Sequence, residues 1–169
     1  SSDVCSSDLV LTYNLQYQKG AWVLHMLRNL IGELNFREGI RNYYKKYFNS
    51  NTNTDQFRLE MEYVSGKDLK NFFQQWLYNG GFLKIDGNWS YNKNLVNITL
   101  SQVQNDGYLF SMPIEIMMTF DDNTVKVETV YLDQKTKKIK IPSEYKPKEI
   151  KLDPHTKLLA VWNLNQLND

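Results

Sequence analysis

The hydrophobic period of this chain changes once, at Gly80-Gly81. Before that pair, apolar residues recur every three or four positions, as on the buried stripe of a helix. After it, they alternate with polar residues, as on a strand with one face in a core. A chain patterned this way is expected to fold as α+β in two parts, a helical bundle first and an antiparallel β-sandwich after. Its 169 residues suffice for one full domain or two small ones, and a hydrophobic share of 41% supports packed cores.

The helical part opens on Tyr17-Gln18-Lys19-Gly20, which leads into Ala21, Trp22, Val23, Leu24, Met26, Leu27, Leu30 and Ile31. A helix apolar on nearly all sides is expected in the interior of a larger body. It is too short for a bilayer, and His25 and Arg28 interrupt it. Gly32 ends it, and Phe36, Ile40, Tyr43, Tyr44 and Tyr47 mark a second helix from Phe36 to Phe48. Asn49 to Asn53 reads as a loop. Thr54-Asp55 then predicts a helix start, a hydroxyl cap followed by an acid, and Ser65-Gly66 closes that helix. Asp68 opens a fourth helix through Leu69, Phe72, Phe73, Trp76 and Leu77.

In the alternating part, Val96, Ile98 and Leu100 share one face, as do Ile114, Ile116, Met118 and Phe120. Asp121-Asp122-Asn123 is a turn, and Val125 to Leu132 returns. Short strands follow around Ile139–Ile141, Ile150–Leu152 and Leu158–Trp162, while Trp89 and Tyr91, at strand spacing, read as core or rim. The expected division is 10–81 helical, 82–163 sandwich and 164–169 polar tail. The first nine residues repeat Ser-Ser-Asp without periodicity, and Val4 to Leu9 is also what a common sequencing adapter spells when translated. They are expected to be an adapter remnant, and Cys5 with them, ahead of a natural chain that begins near Val10 or Leu11.

A net charge of +1 provides no strong field for nucleic acid or an anionic membrane, and no run reaches transmembrane length. A single cysteine excludes an internal disulfide. The two histidines, His25 and His155, sit in no metal-binding spacing, and there is no H-E-x-x-H and no glycine-rich phosphate loop. His25 is expected as a satisfied core histidine and His155 as a turn residue. Glu60 and Glu62 fall on opposite sides of a helix, so they are no acid pair. Nothing here indicates a compartment.

The order of motifs is more telling than any one of them. Tyr17-x-Lys19-Gly20 precedes the apolar helix; Phe36-x-x-Gly39, Thr54-Asp55-x-Phe57 and Glu62-x-x-Ser65-Gly66 follow; then come Asp68-Leu69, Phe72-Phe73-Gln74-Gln75-Trp76-Leu77 and Gly80-Gly81. This series resembles the gluzincin-type zinc aminopeptidases, the alanyl aminopeptidase and leukotriene hydrolase family, over about residues 11–82. The alternating part looks like that family's β-sandwich domain. The resemblance implies the C-terminal part of a thermolysin-like catalytic domain whose zinc is held by two His and a Glu. It implies that the tyrosine matching Tyr17 donates a hydrogen bond to the tetrahedral oxyanion, with Tyr13 a weaker candidate for lining the same cavity. The ligands and general base lie upstream in family members and are absent here. The fragment is therefore expected to bind no catalytic zinc, to cleave nothing alone, and to expose an apolar surface where the remaining half-domain packs. Peptide substrates would be those of the full-length enzyme. A non-catalytic relative acting as an interaction scaffold, or a helical bundle joined to an Ig-like binding module, are the alternatives.

Overall fold

The computed structural model describes residues 18–79, 81–105 and 107–167. The chain divides into two compact units between Tyr78 and Asn79.

The first unit contains α1 (Gly20–Ile31), α2 (Glu33–Tyr47), α3 (Thr54–Ser65) and a short α4 (Lys70–Phe73) that runs on into a π-helical turn, Gln74–Tyr78. Gly32, at φ +86°, ends α1 and begins α2, and its N–H donates to Arg28 O at 2.9 Å. α1 buries one stripe, Val23, Met26, Leu27 and Ile31. Its other side is open: Ala21, His25, Arg28 and Asn29 are exposed and Leu24 remains 43% exposed. The apolar run is thus one-sided in its burial, and His25 is a surface residue rather than a core histidine. The reason is positional. At 100° per residue, His25 falls between the buried Val23 and Met26 in sequence but away from them around the helix.

α3 is capped by Asn53, not by the expected Thr54. Asn53 Oδ1 accepts from Gln56 N, and Gln56 Oε1 accepts from Asn53 N, both at 2.9 Å, which closes a capping box. α2 and α3 pack closely because Gly39 is buried against α3. A Cβ built at Gly39 would lie 2.5 Å from Met61 Sδ and 3.2 Å from Val64 Cγ2.

The second unit consists of β1 (Leu83–Asn92), β2 (Leu95–Gln102), β3 (Met112–Thr119), β4 (Val125–Leu132), β5 (Thr136–Pro142), β6 (Glu149–Leu152) and β7 (Ala160–Gln166). One sheet has the order β5-β2-β1-β7 and the other β4-β3-β6, and together they make the sandwich. Every pairing is antiparallel except β1 with β7, which is parallel. The inward faces are the alternating ones: Leu83, Ile85, Trp89, Val96, Ile98 and Leu100 from one sheet, and Met112, Ile114, Ile116 and Met118 from the other, all buried. β7 continues to Gln166, which pairs with Trp89, so much of the expected polar tail is edge strand.

Candidate functional site

Tyr17 and Tyr13, the two residues singled out from the sequence, lie outside the described residues. What is described begins beside Tyr17 in the chain, with Gln18, Lys19 and the first turn of α1. Burial lowers the pKa of the Lys19 ammonium below its ordinary value.

Gly20 and Ala21 form one wall of a cavity of about 600 Å³ within the helical unit. Val23, Leu24 and Leu27 of α1 also line it, together with Tyr43, Phe57, Phe73 and Leu77 and the polar Thr52, Asn53 and Thr54. The aromatic wall is built by edge-to-face contacts. Tyr43 meets Phe57 with centroids 5.2 Å apart at 82°, and Phe57 meets Phe73 at 6.2 Å and 72°. The Tyr43 hydroxyl donates to Thr52 Oγ1 at 2.5 Å, and the Asn53 side chain is occupied by its cap. Among the described lining residues only Tyr43 can ionise, and its hydroxyl is engaged. This part of the cavity can therefore hold an apolar group and orient it, but it supplies no general base.

The remaining motif residues are structural. The Glu62 carboxylate accepts Arg58 Nη1 on both oxygens at 2.8 Å, and its Oε1 also accepts Leu69 N at 2.8 Å. One carboxylate thus ties α3 to the start of α4 and satisfies an N–H at a helix end. Asp68 Oδ1 accepts Lys70 N at 2.9 Å in the same turn, and Ser65 Oγ donates to Met61 O at 2.6 Å. Glu60 points the other way and is paired with Lys46 Nζ, so the two glutamates form no acid pair. Sequence reasoning missed the contribution of Tyr43, Thr52 and Phe57 to the cavity. Their convergence depends on how α2 and α3 pack, which no local spacing encodes.

Neither histidine is placed for a metal. His25 Nε2 lies 3.1 Å from Asn29 Nδ2, and its ring meets Trp22 edge-on at 5.5 Å. His155 occupies a turn of the β unit, with Nδ1 2.7 Å from Glu115 Oε2. Among the described residues no three His, Cys, Asp or Glu side chains group as a metal site, so these residues do not fit a catalytic zinc.

Residues 7–76 match the Peptidase family M1 domain. Glutamyl aminopeptidase of Bitis rhinoceros is 40% identical over 76 residues, 44% of this chain and 8% of that protein. Probable aminopeptidase 2 of Sulfurisphaera tokodaii is 26% identical over 140 residues, 83% of this chain and 18% of that protein. The crystal structure of Legionella pneumophila aminopeptidase A in complex with aspartic acid superimposes with a TM-score of 0.76 at 18% identity, over 92% of this chain and 18% of that one. At that identity the superposition establishes the fold. The chain spans between 8% and 18% of the length of these curated relatives.

Proposed function

We propose that this chain, whose residues 7–76 match the Peptidase family M1 domain, belongs to that family and is the C-terminal part of a zinc aminopeptidase's catalytic domain followed by the sandwich domain. In this reading the parent enzyme hydrolyses the N-terminal peptide bond of its substrates, and Tyr17 stabilises the transition state. The observation that carries the reading is the family match over residues 7–76, a span that includes Tyr17-Gln18-Lys19-Gly20 and α1.

A phenol fits the task. Neutral at pH 7, it donates a hydrogen bond to the carbonyl oxygen as that oxygen gains charge, and it needs no proton transfer to do so. Gly20, three residues after Tyr17, lies in the cavity wall, which supports a site at this end of α1. The zinc ligands and the water-activating base belong, in this proposal, to the parent upstream of Leu11. The chain by itself then holds no catalytic zinc and cleaves nothing. Exposed large apolar side chains support a helical unit that is normally covered by more protein: Leu34 is 83% exposed and Tyr63 81%, and Phe48 and Leu59 are open as well.

Sequencing the native locus upstream of Leu11 is the first test. An in-frame H-E-x-x-H with a downstream Glu, ahead of Tyr17, is the expected result; the same fold with those residues replaced would make this an inactive relative. In the intact parent, Tyr17→Phe is expected to lower kcat about a hundred- to a thousand-fold with the melting temperature unchanged. An unchanged kcat would remove Tyr17 from the chemistry.

A further inference from the structure

β4 is an edge strand whose free side is self-complementary. It pairs on one side with β3 and, among the described residues, has no strand on the other. Phe120 N donates to Thr124 O at 3.0 Å where β3 and β4 meet, which sets the alternation of the ladder. Even-numbered residues of β4 bond β3, and Val125, Val127 and Thr129 turn their N–H and C=O groups to the open edge. Val125 and Val127 are 55% and 42% exposed.

The charges on this edge are spaced for one partner. Lys126 and Glu128 share the face of β4 that pairs with Met118 and Ile116, and they bond one another at 3.0 Å. Charged residues on an edge ordinarily discourage strand pairing. Here an antiparallel strand of the same sequence, centred on Val127, sets Lys126 opposite the second copy's Glu128 and Glu128 opposite its Lys126. The same register makes Val127 a hydrogen-bonded pair with itself, in keeping with its outward N–H and C=O. The charged positions then become non-hydrogen-bonded pairs, in which side chains approach most closely. Shifting the centre to Val125 would bring Glu128 towards Asp122, and shifting it to Thr129 would leave Glu128 facing Val130.

We propose that β4 pairs antiparallel with β4 of a second copy of this chain about Val127, joining two three-stranded sheets into one. The interface is isologous, as a two-fold dimer requires. This does not depend on the peptidase reading.

Sedimentation equilibrium of the full chain at low salt tests it. The wild type is expected to dimerise, and added salt to weaken the dimer. Lys126→Glu and Glu128→Lys each place like charges opposite one another and are expected to raise the dissociation constant about tenfold or more. Mixing these two variants restores association as a heterodimer, and the double exchange K126E/E128K restores the homodimer. The Lys126 and Glu128 side chains are 43% and 40% exposed, and circular dichroism checks that each variant folds. A wild type that stays monomeric up to about 1 mM overturns the proposal. So does self-association that Lys126→Glu leaves unchanged, since the contact would then lie on another surface.

Discussion

Gly39 and Met61 fix how close α2 and α3 can approach. Met61 is fully buried, and a Cβ on Gly39 would meet its sulfur at 2.5 Å and its terminal methyl at 3.0 Å. Gly39→Ala is therefore expected to destabilise the helical unit by about 1–3 kcal/mol through overpacking, despite the better helix propensity of alanine. Urea unfolding of the variant measures it. Met61→Ala in the same chain should make the Gly39→Ala change less costly, because the two then no longer compete for space.

Glu62 is expected to matter more than its place on a polar helix suggests. Glu62→Ala leaves Leu69 N without its acceptor and Arg58 without its partner, at a cost of about 1–3 kcal/mol. Glu62→Gln keeps one carbonyl oxygen for Leu69 N, so it should cost less. Equal losses in the two variants would show that the bond to Leu69 contributes nothing.

The capping box at Asn53 gives a smaller effect. Asn53→Ala removes the acceptor for Gln56 N and should cost about 1 kcal/mol. Thr54→Ala, which sequence reasoning would have chosen as the cap variant, should cost less. Thermal melting of both separates the two.

Acid should loosen the turn around His155. Burial raises the Glu115 pKa, but hydrogen bonds from Lys157 and His155 outweigh it, and the net value lies below the ordinary 4.5. A carboxyl depressed in the folded state contributes stability above its unfolded pKa and loses it as pH falls through its folded pKa. The contribution should thus be intact at neutral pH and disappear only in acid below about pH 4.5. Glu115→Gln should flatten that part of the stability profile. An unchanged acid limb in Glu115→Gln would show that other carboxyls set it.

The sequence was most legible where burial follows a simple period. Val96, Ile98 and Leu100, and Ile114, Ile116 and Met118, are buried as their alternation implied. β1 was harder to see, because Gly87 breaks its alternation of apolar residues. A Cβ there would lie 2.8 Å from both Leu100 Cδ2 and Leu164 Cδ1, so neighbouring strands fill the space that its own side chain would take. The Asn53 cap was concealed in a polar run, although Asn53-Thr54-Asp55-Gln56 has the spacing of a capping box. The apolar surroundings of His25 misled because sequence neighbours on a helix point in different directions. The family motifs were legible as a series, but the tasks of Gly39 and Glu62 within it emerge only once α3 is packed against α2 and tied to α4.

The parallel neighbour of β1 has a consequence for synthesis. β1 and β7 are the first and last strands of their unit, yet Leu83 through Trp89 lie beside Ala160 through Gln166. The four described helices, by contrast, pack mainly against their neighbours in sequence and can settle as they leave the ribosome. The sheet stays one strand short until the final stretch of the unit has been translated, and β1 spends that interval with a bare edge. Closure of so distant a contact is slow, which makes the second unit the later to mature and the one more exposed to chaperones and proteases in a nascent chain.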